Sequence, residues 1–383
     1  MSSSVNERLD VLQVTEACAG GVRRHLELIL PALAARGLHC GLFAFSGRAD
    51  ADFFSLQAKL LALGCPVEWL ELSTGMSVTK LWGARSCLQA MLLRYRPRCL
   101  HLQAGWAGLL GRAACLSLPP GLRVIYSPHA FGFHPEQPCW RKILLPLLEK
   151  KLSHKTSAYV LIGSEELAEA KRLGLPEQKL FLAENGLAKD FPTHLLPRDE
   201  ARRHLGIPLS EKAFLVPCRL AWQKGLDLLL PALANSPLPE PSPIFYLCGE
   251  GPEKASLLAL AEKLGLLPIL RFSGNIPSLW QSLLAFDGAI LPSRYEGLSY
   301  ALLECLAAGL PVLASDIKAN MISDQIIPFQ SGQSSSLAEA LPRLWNSKPS
   351  FPKIPDGAAF LSSQIDKLLK VYSPEIEKKP GIL

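Results

Sequence analysis

Gly288-Ala-Ile-Leu-Pro292-Ser-Arg294-Tyr-Glu296-Gly297-Leu298-Ser299-Tyr-Ala-Leu-Leu-Glu304-Cys-Leu-Ala-Ala-Gly309-Leu-Pro311-Val-Leu-Ala314 is the stretch that decides the fold. Gly288–Pro292 is a short apolar run, 301–308 has helical character, and Pro311–Ala314 is apolar again. Strand, loop, helix and strand in that order are the unit of a parallel sheet covered on both faces.

The same alternation extends outward. Upstream, strands are expected at 213–218, 243–248 and 269–272, with helices at 225–233 and 253–264. In the first half, Leu9–Val14 reads as a strand, and Glu16-Ala-Cys-Ala-Gly20-Gly21 leads into a helix with Val22, Leu26, Ile29, Leu30 and Leu33 at helical spacing. Extended character returns at 39–45, 67–72, 99–103, 122–127 and 158–163, with a helix over 80–94. A boundary falls near 186–198, where Asn185-Gly186 precedes a Pro-rich link, and the chain turns Pro- and Ser-rich again after about 345. The expected domains are therefore 1–188, 189–345, and a tail, 346–383, whose amphipathic stretch (Phe360, Ile365, Leu368, Leu369, Val371) forms a helix packing back on the first domain. The fold class is α/β with two Rossmann-like halves. Two facing sheets of this kind hold a ligand in the cleft at the carboxyl ends of their strands.

Composition excludes other classes. At 383 residues, 49% hydrophobic and 19% charged, the chain is neither disordered nor an acidic tail, and its length asks for two cores. With 31 Pro and 28 Gly it is no helical bundle. The start lacks the basic-then-apolar pattern of a secretory signal, and no run approaches about 18 apolar residues. The ten cysteines never form C-x-x-C, so core residues in a reducing cytoplasm are expected, without disulfide or metal. The net charge of +6 is uneven. Residues 1–190 hold 22 Lys+Arg against 16 Asp+Glu, 191–383 balance at 18 each, and 80–160 hold twelve basic residues against two acidic.

The chemistry concentrates at strand ends. Glu296 sits in a strand-to-helix loop and Glu304 within the helix, flanking backbone N–H groups near Leu298 to Tyr300 at a helix N-terminus, with Gly297, Leu298 and Ser299 as donor-binding candidates. Two carboxylates beside an anion-binding position suit a ligand with hydroxyls on both sides of a diphosphate, a sugar on one and a ribose on the other. Arg219 and Lys224, just past a strand, read as a diphosphate clamp in preference to a surface salt bridge, and negative charge grows there as a nucleotide leaves a sugar. Gly249 and Gly251 serve either close backbone approach to a nucleotide or an ordinary turn. The run is no G-x-G-x-x-G fingerprint, which disfavours a dinucleotide oxidoreductase. Gly20 and Gly21 hold phosphate or acceptor through N–H groups, or make a tight turn. His129, closing the strand at 124–128, is either structural or a hydrogen-bond partner of a donor sugar, and His134 is a weaker candidate on the same loop.

Arg294–Asp316 resembles the donor-binding signature of retaining glycosyltransferases of family 4, with seven residues between Glu296 and Glu304. Further matches come in order: Gly20-Gly21, Ser127-Pro-His129, Glu184-Asn185-Gly186, Cys218-Arg219…Lys224-Gly225 and Cys248-Gly249-Glu-Gly251-Pro252. The resemblance covers about 9–345. It implies the GT-B architecture, a nucleotide-diphosphate sugar as donor substrate with no cofactor, no metal in catalysis, and retention at the anomeric carbon. On it, Glu296 binds sugar hydroxyls and Glu304 the ribose, Arg219 and Lys224 stabilise the leaving diphosphate, and His129 holds the sugar. Departures exist. His101-Leu-Gln103 stands where many relatives carry H-x-H, Arg98 replaces an acid, Ile322 stands where a Glu is common, and Gln333 replaces an acid. Those near 317–335 leave the donor's identity open.

The segment Trp140–Lys155 interleaves apolar residues with Arg141, Lys142, Lys150, Lys151 and Lys155. It is either an interfacial helix lying on anionic lipid or a helix covering the sheet with solvated cations. Nucleic acid is disfavoured, because no binding module or aromatic platform accompanies the charge. The expectation is a cytoplasmic hexosyltransferase, peripheral at the inner face of the membrane, acting on a glycan or lipid-linked glycan in polysaccharide or lipopolysaccharide synthesis. Two other readings remain: a non-catalytic glycan-binding or scaffold paralogue, and a glycan phosphorylase, which needs pyridoxal phosphate.

Overall fold

A computed structural model describes residues 8–46, 49–71, 78–114, 121–131, 139–355 and 359–372. It divides the chain into two compact units: residues up to Asn185 together with those from Leu361 onward, and Gly186–Phe360.

The first unit alternates strands and helices: β1 (Val11–Thr15), α1 (Gly20–Ala35), β2 (Cys40–Ser46), α2 (Ala51–Ala62), β3 (Val67–Glu71), α3 (Val78–Tyr95), β4 (Cys99–Gln103), α4 (Gly105–Ala114), β5 (Arg123–Ser127), α5 (Cys139–Leu152), β6 (Ala158–Leu161), α6 (Ser164–Arg172) and β7 (Leu180–Leu182). The seven strands form one parallel sheet in the order β3-β2-β1-β4-β5-β6-β7. The order turns back at β1, the arrangement of a doubly wound sheet. Alternate residues of a strand face opposite sides. Val11 and Cys99 pack with Leu26, Ile29, Leu30 and Leu33 of α1, while Leu12, Val14, Leu100 and Leu102 pack on the other side with Leu88 of α3 and Leu110 of α4. By the same alternation Gln13, His101 and Gln103 lie on the α1 side, fully buried.

The second unit contains β8 (Gly186–Leu187), α7 (Arg198–Leu205), β9 (Ala213–Pro217), α8 (Leu226–Asn235), β10 (Ile244–Cys248), α9 (Lys254–Lys263), β11 (Leu270–Gly274), β12 (Gly288–Leu291), α10 (Tyr300–Ala307), β13 (Val312–Ser315), β14 (Ile326–Phe329), α11 (Ser334–Trp345) and β15 (Ala359–Phe360). Its parallel sheet runs β11-β10-β9-β12-β13-β14, and β8 pairs with β15. Phe214, Val216, Phe245 and Leu247 pack against α8, α11 and Trp345. Arg202 of α7, fully buried, donates to the carbonyls of Ala285, Pro208, Leu209 and Glu211 and pairs with Asp287 at 3.0 Å, so each nitrogen of its guanidinium has a partner in the core.

The final helix, α12 (Leu361–Tyr372), belongs to the first unit, where Ile365, Leu368, Leu369, Val371 and Tyr372 join the core beside α1. Residues 346–360 go with the second unit, where the Ser350 N–H donates to the Gly309 carbonyl at 2.8 Å. The short strands β7 and β14 were not expected from sequence, and each completes the edge of its sheet. Of the cysteines, 18, 40, 65, 99, 248 and 305 are buried, but Cys87 is exposed. Among the described residues no helix is long and apolar enough to cross a membrane.

Candidate functional site

In the second unit, the loop after β12 meets the turn after β9. Arg294 fixes this contact: its guanidinium grips both oxygens of Asp227 at 2.8 and 2.7 Å, donates to the Trp222 carbonyl at 2.7 Å and lies 4.6 Å over the Trp222 ring. The Arg294 N–H donates to the Gln223 carbonyl at 2.8 Å, and Gln223 Nε2 donates back to the Tyr295 carbonyl at 2.9 Å. The planar fork makes the arrangement rigid. Neither Arg294 nor Asp227 stood among the expected site residues, although an Arg opening the loop and an acid two residues past Gly225 were visible in sequence.

Stapled in this way, the two loops bring Lys224 and Glu296 into an ion pair. Ser293 Oγ donates to the same Glu296 oxygen at 2.7 Å. Burial alone would lower the Lys224 ammonium, but the Glu296 carboxylate beside it holds its pKa above the usual value. The residues expected to bind phosphate and sugar separately therefore hold each other. Behind them, Asn320 Nδ2 donates to Ser315 Oγ at 3.1 Å, and Ser315 Oγ donates to the Ser293 carbonyl at 2.5 Å. Arg219 is exposed on the loop after β9.

Ser299, in extended conformation, precedes α10, whose apolar residues are buried nearly all round. Gly297 and Leu298 are buried in the loop before it, and Glu304 is 9% exposed one turn inside the helix. Gly249 and Gly251 have an internal reason to be glycine. A Cβ at either would collide with the backbone of Cys218 or Leu220, because the Leu220 N–H donates to the Glu250 carbonyl at 3.1 Å and the Glu253 N–H to the Leu220 carbonyl at 3.0 Å. Their need is loop-on-loop packing, which also seats Arg219.

In the first unit, α1 starts at Gly20, whose φ of +71° lies in the left-handed region, and both Gly20 and Gly21 are exposed with open space around them. The basic pair behind them is already matched: Arg23 reaches Glu27 at 2.5 Å and Asp52 at 3.0 Å, and Arg24 reaches Glu27 at 3.1 Å. Glu16 accepts from the N–H groups of Trp106 and Ala107 at 2.9 and 2.8 Å, closing the N-terminus of α4.

His129 follows β5 with φ of +55°, and Ala130 with +79°. Such strain in non-glycine residues persists only where the surroundings impose it. Glu166 of α6 does so, accepting from the Ala130 N–H at 2.8 Å and the Ile162 N–H at 2.7 Å. Burial pushes the Glu166 carboxyl up to about 7 against the lowering effect of those two bonds. His129 Nε2 meets Gln103 Oε1 at 2.5 Å, and burial drives its pKa well below the usual histidine value. His134 lies outside the described residues.

Helix α5 carries the basic segment. Its Glu149, buried, takes both terminal nitrogens of buried Arg112 at 2.5 and 2.9 Å and the Tyr159 hydroxyl at 2.6 Å, while Arg112 stacks 4.3 Å from the Tyr126 ring. The opposite face shows Ile143, Leu144 and Leu147, at least half exposed, with exposed Lys150 and Lys151; Lys155 is exposed just beyond. Arg141 and Lys142 belong to α5, but their side chains lie outside what is described.

Residues 20–186 match the model of a glycosyl transferase 4-like domain, and residues 197–348 that of glycosyl transferases group 1. The chain is 26% identical to the putative glycosyltransferase EpsD of Bacillus subtilis over 77% of its length and 72% of that protein's. It is 26% identical to the UDP-Gal:alpha-D-GlcNAc-diphosphoundecaprenol alpha-1,3-galactosyltransferase of Escherichia coli, over 61% of each. Among solved structures, Anabaena HepE in complex with UDP and glucose superposes with a TM-score of 0.72 at 17% identity, covering 97% of this chain and 99% of that one. The two parallel-sheet units are those of the GT-B architecture.

Proposed function

We propose that this chain, a glycosyltransferase of group 1 with a glycosyl transferase 4-like first domain, moves a hexose from a UDP-hexose to a hydroxyl of a lipid-linked glycan, with retention, in polysaccharide or lipopolysaccharide assembly. The observation that carries this reading is the Lys224–Glu296 pair, held by Arg294 at the carboxyl ends of β9 and β12 with exposed Arg219 on the adjoining loop. A diphosphate arriving there takes Lys224 and Arg219 as counter-charges, and Glu296 turns to the sugar hydroxyls. As the bond from C1 to the phosphate oxygen breaks, both cations stabilise the growing charge. The acceptor oxygen bonds C1 on the face the nucleotide leaves, and its proton passes to the leaving phosphate. Glu304 holds the ribose and His129 the sugar. No metal or cofactor is needed for this sequence of steps.

The acceptor's lipid brings in the outward face of α5. Ile143, Leu144 and Leu147 form an apolar strip flanked by Lys150 and Lys151, and the inward Glu149–Arg112 pair fixes which face is outward. An anionic bilayer surface matches both features.

The test is UDP release from UDP-glucose and UDP-galactose by the purified full chain, with nucleotide binding followed by thermal shift. Lys224→Ala and Glu304→Ala are each expected to lower turnover at least a hundredfold with the fold intact. Near-normal turnover in both, or no stabilisation of the wild-type chain by UDP, GDP or ADP, overturns the reading.

A further inference from the structure

Six side chains of the first unit form one hydrogen-bonded network on the α1 side of the sheet, in which Gln103 Nε2 also lies 3.4 Å from each ring nitrogen of His101. Gln103 Nε2 donates to Gln13 Oε1 at 2.8 Å, which leaves Gln103 Oε1 as the acceptor facing His129 Nε2 at 2.5 Å. Gln13 Nε2 donates to the Tyr372 hydroxyl at 3.0 Å. That hydroxyl, with one proton and two lone pairs, also meets His101 Nδ1 at 2.8 Å and can give or receive this bond. His101 Nε2 meets Ser127 Oγ at 2.8 Å. The order His129→Gln103→Gln13→Tyr372 thus has a single direction, and His101 and Ser127 extend it in either tautomer.

A carboxamide has one accepting and one donating side, and a neutral imidazole has one N–H. Turning Gln103 alone sets oxygen against oxygen at Gln13. Gln13, His101, Gln103 and Ser127 are fully buried and Tyr372 is 2% exposed, so water offers no substitute partner. Burial also keeps His101 neutral, its pKa well below the usual value. His25 packs edge-on against His129 with centroids 4.9 Å apart, but its Nδ1 is turned to Asn185 Oδ1 at 3.2 Å, so it is a neighbour and not a link.

We propose that Gln103, backed by Gln13 and by Tyr372 of the terminal helix, is a positioning residue that fixes His129 as the Nε2–H tautomer, so that Nδ1 can only accept a hydrogen bond from a hydroxyl of the donor sugar. Only the naming of the sugar rests on the transferase reading; the tautomer is a property of the folded chain. A second histidine at position 103 would itself have two tautomers and set no direction, whereas a carboxamide tethered to Gln13 does.

The experiment is a ¹⁵N imidazole spectrum of the full chain labelled at histidine, without ligand, at neutral pH. Wild type is expected to show the His129 proton on Nε2. Gln103→Glu keeps an acceptor toward His129 and retains that tautomer. Gln103→Leu, and Tyr372→Phe at the far end of the series, give a mixture. In UDP-glucose or UDP-galactose turnover, Gln103→Leu raises the donor KM about tenfold with a smaller change in kcat, the loss of one hydrogen bond, and Gln103→Glu stays within about threefold of wild type. A His129 proton on Nδ1 in wild type, or an unchanged tautomer in both Gln103→Leu and Tyr372→Phe, overturns the proposal. Turnover of neither sugar nucleotide counts against the transferase reading and leaves the spectral result to decide the tautomer.

Discussion

Glu166→Gln tests how the strained His129–Ala130 turn is held. Glu166 is 3% exposed, and its two oxygens accept from the Ala130 and Ile162 N–H groups at 2.8 and 2.7 Å. Its carboxyl titrates at about 7 in the folded chain, against 4.5 as the ordinary value. Between those two pH values the folded chain binds more protons than the unfolded one, so stability falls as pH rises through the window and levels off above it. At 1.36 kcal/mol per pH unit the gap corresponds to about 3 kcal/mol. Glutamine does not titrate, and subtracting its curve removes the contribution of every other group. Urea unfolding of both proteins at intervals from pH 4 to 8.5 reads the difference directly. The wild-type advantage over Glu166→Gln is expected to shrink by about 3 kcal/mol between pH 4.5 and 7.5. Donor turnover, by contrast, rises through about pH 7, because only the ionised carboxylate accepts with both oxygens at full strength and holds the turn. A flat stability difference over the whole range would falsify the buried, proton-holding Glu166.

Three further outcomes follow from the same geometry. Glu149→Ala leaves the buried Arg112 guanidinium without its carboxylate and should cost about 3–5 kcal/mol in urea unfolding, whereas Arg112→Met with Glu149→Leu should recover to within about 2 kcal/mol of wild type. Arg294→Lys keeps the charge but loses the two-pronged grip on Asp227, so kcat/KM for the sugar nucleotide should fall about tenfold, with the melting temperature the control. Neutralising Lys150, Lys151 and Lys155 to Gln should weaken co-sedimentation with phosphatidylglycerol vesicles by about a hundredfold, at about 1 kcal/mol per lysine. If that binding ignores salt, lipid charge and all three lysines, α5 is only a solvated helix.

Much of the scaffold was legible because a buried parallel strand is a local signal: 99–103 coincides with β4, and the expected helix at 253–264 differs from α9 by one residue at each end. Edge strands β7 and β14 were not, since three or four apolar residues have no period and acquire strand geometry only from a neighbour. At the site, motif spacing named Lys224 and Glu296, but spacing does not say that two charges touch. Their contact follows from Arg294 reaching Asp227, 67 residues away in sequence. The Gln103 series was hidden for the same reason, because it draws on β1, β4 and the last described residue of α12. His101 and Gln103 could be noticed as polar residues inside an apolar strand; what satisfies them could not.

The Lys224–Glu296 contact also explains how so much charge stands ready at a partly buried site. An isolated ammonium or carboxylate there would be costly to desolvate, whereas the pair, with Ser293 as a further donor to Glu296, shares that cost before any ligand arrives. On the proposed function, an incoming diphosphate would exchange one anionic partner of Lys224 for another, so the lysine need not be stripped of water a second time. Glu296 would lose its cation but keep the Ser293 hydroxyl and gain sugar hydroxyls, which only a glycosylated nucleotide supplies. A free nucleotide offers Lys224 the same phosphate and leaves Glu296 short of donors, next to added negative charge. On that reading the pair would favour the sugar-bearing nucleotide over its hydrolysed product, by making the lysine's change of partner depend on what the glutamate receives in return.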